Sequence, residues 1–131
     1  MKMTKRVVAL VLCLTLIFSL SIVAYAASSK TFFSATRYGY TVTGRGTTDT
    51  SKATATMIVT PGNSPSIPEY DCTSYVSLTA RSSNGNIIAR AEDTSSDDVY
   101  AECNYRAGAV THTISSFKFT GYNYGSYTEY V

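Results

Sequence analysis

The chain has 131 residues, with 11 Lys and Arg against 9 Asp and Glu, a formal net charge of +2. Lys2, Lys5 and Arg6 stand together at the start. From Ala27 onward, eight basic residues face nine acidic ones, a net charge of −1. That balance excludes an electrostatic case for binding nucleic acid or an anionic membrane.

Met1 to Arg6 is basic, Val7 to Val23 is almost wholly apolar, and Ala24-Tyr25-Ala26 supplies a small-x-small site. This is the three-part layout of a secretory signal peptide. The expected organisation is a leader over residues 1–26 and one domain over 27–131, secreted and not stably inserted in a membrane once the leader is cut. If retained, an apolar run of about 17–20 residues is long enough to act as an anchor.

The domain portion has 13 Leu, Ile, Val and Met and 14 Phe and Tyr, and Leu78 is its one leucine. Thr, Tyr and Val suit a pleated, half-buried surface, so the composition argues for an all-β fold. Lys30 to Arg37 reads as a first strand. Tyr38, Tyr40 and Val42 alternate with Gly39, Thr41 and Thr43 as a second strand or a continuation. Gly44 to Lys52 reads as a turn, and Ala53 to Thr60 as the next strand. Pro61 to Tyr70 holds all three prolines. It is therefore an irregular connection, of the kind that crosses between sheets.

Asn84-Gly85 between two apolar runs predicts a hairpin with a type I′ turn. It pairs Arg81 with Ile88, Ala80 with Ala89 and Leu78 with Ala91, and places Val76, Leu78, Ala80, Ala89 and Ala91 on one face. Glu92 to Asp98 reads as an acidic loop. Val99 to Arg106 alternates as a strand, Ala107-Gly108-Ala109 turns the chain, and Val110 to Thr120 is the last long strand before a tyrosine-rich tail. About seven strands spaced by turns predict a two-layer antiparallel β-sandwich, immunoglobulin-like in architecture, with a small β-barrel as the alternative.

Of three cysteines, Cys13 lies in the leader. Cys72 and Cys103 form an even pair in an exported chain and are expected to make one cross-sheet disulfide. Such a bridge would contribute about 3–4 kcal/mol in the chain-entropy picture.

Chemistry-bearing patterns are few. His112 is the one histidine, expected to share a strand face with Val110 and Ile114, and no serine stands in a Gly-x-Ser-x-Gly turn. The expectation is a non-enzymatic protein with no cofactor. Glu92, Asp93, Asp97 and Asp98 are the one oxygen-rich cluster, a weak calcium candidate without EF-hand spacing. Otherwise no metal site is expected. Tyr122, Tyr124, Tyr127 and Tyr130 are the candidate ligand-binding residues, since tyrosine combines large apolar area with a polar tip and little rotamer entropy.

The leader Met1–Ala27, the stretch Gly39-Tyr40-Thr41-Val42-Thr43-Gly44 and the late His112 resemble small exported proteins of Gram-positive bacteria. Bacteriocins similar to lactococcin 972 belong to that general type, although their tryptophans are absent here. The resemblance implies export and a β-sandwich and transfers no site residue. The expected function is a binding module at the cell surface, with wall glycan or a surface protein as partner. The alternatives are a bacteriocin-like antagonist and a structural surface protein.

Overall fold

The computed structural model describes residues 28–131, so the proposed leader over residues 1–26 lies outside the described residues. Eight strands follow one another: β1 (Ser28–Arg37), β2 (Tyr40–Thr48), β3 (Lys52–Pro61), β4 (Ser74–Arg81), β5 (Ile87–Ser95), β6 (Val99–Asn104), β7 (His112–Phe119) and β8 (Tyr122–Tyr130). They form two four-stranded antiparallel sheets, ordered β1-β2-β3-β6 and β5-β4-β7-β8. The expected all-β sandwich is present, and the sheets do not close into a barrel.

Strict alternation decides which side chains enter the core. Val42, Ala53, Ala55, Met57 and Val99 enter from the first sheet, and Val76, Leu78, Ala80, Phe117 and Phe119 from the second. The proline-bearing segment crosses between sheets as expected, leading from β3 to β4 through a short 3₁₀ turn at Glu69–Asp71. The β4–β5 hairpin keeps the expected pairs Leu78 with Ala91 and Ala80 with Ala89.

Several expectations are corrected. Gly44 to Lys52 is not a turn: β2 runs on to Thr48, and the turn is confined to Asp49–Ser51, where Asp49 Oδ1 accepts from the N–H groups of Ser51 and Lys52, both at 2.8 Å. The glycines there admit aromatic rings. A Cβ on Gly44 would run into the ring of Phe33, and one on Gly46 would lie 2.7 Å from Cε2 of Phe32.

The acidic stretch is likewise mostly strand, with β5 reaching Ser95. The tyrosine-rich tail is β8, an eighth strand whose alternation is broken by a bulge opposite Phe117 and Lys118. The strand expected over Val110 to Thr120 is β7, which starts at His112 rather than Val110. Thr113, Ser115, Phe117 and Phe119 point into the core, so His112 and Ile114 share the opposite, half-buried face, while Val110 is buried outside the strand.

The turn chemistry is also redistributed. At Ser82–Asn86, Gly85 has φ +84° but Asn84 does not take positive φ, and Gly85 N donates to Ser82 O at 3.0 Å. This is the longer hairpin loop in which a turn is followed by a left-handed glycine, not type I′. It moves the partner of Arg81 from Ile88 to Ile87 through a bulge. Two-residue turns with both central residues at positive φ occur at Tyr38-Gly39 (52° and 80°) and Thr120-Gly121 (45° and 80°).

The expected disulfide is absent: Cys72 and Cys103 are both free and buried. Cys72 Sγ lies 3.7 Å from Pro68 O, before β4 begins, whereas Cys103 Sγ lies 3.6 Å from Leu78 O, well inside β4. From Cys72 to Leu78 the chain is nearly extended and covers about 20 Å. A disulfide needs Cα atoms about 4–7 Å apart. Burial pushes the Cys103 thiol pKa up, favouring the protonated thiol.

Candidate ligand-binding surface

β1 and β8 are edge strands of different sheets, and they lie on the same side of the sandwich. A bulge in β1 leaves Phe32 without a partner on β2, so Phe32 and Phe33, neighbours in sequence, both turn inward. The bulge in β8 does the same for Tyr124. The four side chains interdigitate. Phe33 stacks on Tyr124 at 4.5 Å between centroids, and Phe32 stacks on Tyr127 at 4.9 Å. Phe117 meets Phe33 edge-on at 5.4 Å from beneath. Such pairs contribute about 0.5–1.5 kcal/mol each beyond their burial. They seal the open side of the sandwich with an aromatic seam.

At one end the seam reaches solvent. The Arg37 guanidinium carbon lies 4.3 Å from the Tyr122 ring centroid and 5.0 Å from that of Tyr38. Tyr122 in turn meets Tyr124 edge-on at 4.8 Å. Tyr38 and Tyr122 are 38% and 43% exposed, so their rings are half open while Arg37 is held between them. Among the described residues Arg37 Nε has no hydrogen-bond partner and the guanidinium makes no ion pair, so the rings, not a carboxylate, hold the cation. Burial raises the Tyr124 pKa, and the Arg37 charge opposes that rise.

Two local features fix this end. Tyr38 O accepts from Ser66 N and Gly39 O accepts from Gly62 N, both at 2.8 Å, so the proline-bearing connection ties down the tip of the β1–β2 hairpin. The second tip is tied by Thr120 N donating to Thr73 O at 2.7 Å. Positive φ at Tyr38 and Thr120 is unfavourable for side chains of those types, and it persists because these neighbours hold the backbone.

The four sequence-predicted tyrosines thus divide. Tyr122 and Tyr124 come together. Tyr127 belongs to the same seam, but its ring is spent on Phe32, and its hydroxyl donates to Tyr124 O at 2.8 Å. Tyr130 is 81% exposed at the far end of β8, opposite His112. His112 has Thr111 Oγ1 3.0 Å from its Nδ1 and the Tyr130 ring at 6.1 Å. Sequence reasoning missed Arg37 and Tyr38. The available signal was an Arg-Tyr pair immediately before a glycine between two strand patterns.

The acidic residues are separately engaged. Asp93 Oδ2 accepts from Tyr100 N at 3.0 Å, Asp98 Oδ1 from Val59 N at 2.8 Å, and Glu92 pairs with Arg90. Asp97 lies in the β5–β6 turn, where its N–H donates to Ser95 Oγ at 2.9 Å. Among the described residues no three His, Cys, Asp or Glu side chains converge as a metal site would require. Compared with protein-family models, with curated proteins and with solved structures, the chain matches none.

Proposed function

We propose that the protein is a non-enzymatic binding module that works outside the cell, at a cell surface, and engages wall glycan through Arg37, Tyr38 and Tyr122. One observation carries this reading: a guanidinium is clamped between two half-exposed tyrosine rings at the solvent end of a packed seam. A ring face packs against the apolar face of a sugar, while the phenol and guanidinium donate to its hydroxyls. The seam beneath supplies preorganisation, so little side-chain entropy remains to be lost on binding. Export is supported by the leader-like residues 1–26. Among the described residues, no helix is long and apolar enough to cross a membrane.

The packing of Tyr124 and Tyr127 favours a structural role for those two rings, and it narrows the expected contact residues to the Arg37 end.

The test is co-sedimentation of the protein with Gram-positive cells and with their insoluble peptidoglycan. Pelleting with both, lost in Tyr38→Ala plus Tyr122→Ala, supports the reading. Pelleting with cells alone replaces glycan by a surface protein, and growth arrest of those cells replaces the module by an antagonist. No pelleting with either overturns it.

A further inference from the structure

The outer face of the β1-β2-β3-β6 sheet is a hydroxyl lattice. Antiparallel register places Ser29, Thr47, Thr54 and Glu102 in one row across the strands, and Thr31, Arg45, Thr56 and Tyr100 in the next. Threonine on an open sheet face is accounted for by β-propensity alone. Propensity does not account for the charge distribution or the relief of this face. The other charges here, Lys52 and Glu102, pair with each other at 3.3 Å, and Glu102 also accepts from Tyr100 Oη at 2.9 Å. Arg45 stands exposed amid the threonines, with no ion pair among the described residues. Beside it lies a hollow of about 210 Å³, lined by Ser29, Arg45, Thr47, Thr54, Thr56 and Ile58.

We infer that this hollow is a second ligand site, for a sugar unit that carries one anionic group, a carboxylate or a phosphate. The guanidinium presents a fork of donors that matches either anion with two parallel hydrogen bonds. The Thr47 and Thr54 hydroxyls bond each other at 2.5 Å, which leaves one of their protons and their remaining lone pairs, together with the Ser29 and Thr56 hydroxyls, to meet sugar hydroxyls. Ile58 offers an apolar wall for the C–H face. The volume is below the 300–1,000 Å³ or so usual for drug-sized ligands, so it takes one unit rather than a folded oligomer. The site is independent of the Arg37 surface. It lies on the outer sheet face toward the Thr48 end of β2, whereas Arg37 sits beside Tyr40 at the opposite end.

The experiment is an amide NMR titration of the full chain with four probes: D-glucuronate, glucose 6-phosphate, D-glucose and inorganic phosphate. Glucuronate or glucose 6-phosphate should shift the amides of Thr47, Thr54 and Thr56, and the tighter of the two names the anion. Glucose and inorganic phosphate should bind at least about tenfold more weakly, since each supplies half of the recognition. Arg45→Gln should weaken the preferred probe about tenfold. Arg45→Lys, which keeps the charge without the fork, should fall between them. Tyr122→Ala should leave these shifts unchanged, so failure here is distinct from failure of the Arg37 reading. Inorganic phosphate binding as well as the sugar phosphate, equal binding by Arg45→Gln, or no shift at these amides would each overturn the inference.

Discussion

The ring of Phe33 on β1 lies parallel to that of Tyr124 on β8, with an interplanar angle of 9° and centroids 4.5 Å apart. The two strands belong to different sheets, so this contact is a clasp between layers rather than a cross-strand pair. It exists because both residues sit at bulges. A bulge turns two successive side chains toward the same layer.

The clasp predicts a measurable coupling. Phe33→Ala should lower stability by about 2–4 kcal/mol, seen as a lower urea midpoint. Gly44→Ala should be strongly destabilising in the native background, because the new methyl occupies the Phe33 ring position. In the Phe33→Ala background the same methyl should cost much less. Additive effects in this double-mutant cycle would mean that the ring does not fill the glycine site.

Both cysteines of the domain are expected as free thiols. Ellman's reagent should find neither in the native protein, because both are buried and the Cys103 thiol is pushed toward its protonated form. In guanidinium without reductant, Cys72 and Cys103 should both react. Their silence after denaturation would restore the disulfide.

Gly39 and Gly85 both take φ near +80°, so alanine strains the backbone at each. Only at Gly39 would the added Cβ meet other backbone, 2.7 Å from Pro65 Cα, whereas Gly85 faces open space. Gly85→Ala is expected to cost about 1 kcal/mol, and Gly39→Ala clearly more. Gly39→Ala should also disturb Tyr38, and with it binding at the Arg37 end. Equal losses of stability would show that the proline-bearing segment does not brace the hairpin.

Glu129 supplies a pH signature. Burial raises its carboxyl pKa above the ordinary 4.5, and Lys30 partly offsets the rise. A raised folded-state value means that the neutral acid is favoured in the fold. Its contribution is full below the unfolded value and is lost as pH rises through the folded one. Glu129→Gln should therefore flatten the decline in stability on going from the ordinary carboxylate range to higher pH. Thermal melts of the two proteins across that window read the difference. A steeper decline in the variant would reverse the assignment.

Much of this molecule was legible from local chemistry. Period-two alternation identified β6 and the start of β2, and the Asn84-Gly85 hairpin placed β4. The prolines marked the crossing from one sheet to the other. The pairs Leu78 with Ala91 and Ala80 with Ala89 followed from centring the hairpin on Asn84-Gly85. Glycines misled where they serve packing. Gly44 and Gly46 look like turn residues, yet they lie in mid-strand beneath Phe33 and Phe32. Tyr124 and Tyr127 look like a recognition surface, yet they are half the clasp that closes the sandwich.

By itself the sequence determined the all-β class and the alternating core, because those depend on side-chain type and spacing along one strand; the eighth strand and the choice of an open sandwich over a barrel were decided by tertiary packing. The tertiary structure alone decided that Cys72 and Cys103 stay apart, since bridging depends on where two strands place their ends. It also decided that Arg37 joins Tyr38 and Tyr122, and that Arg45 stands among threonines with no counter-charge among the described residues. Those outcomes depend on bulges and inter-strand register, which are set by packing between layers and leave no period in the chain.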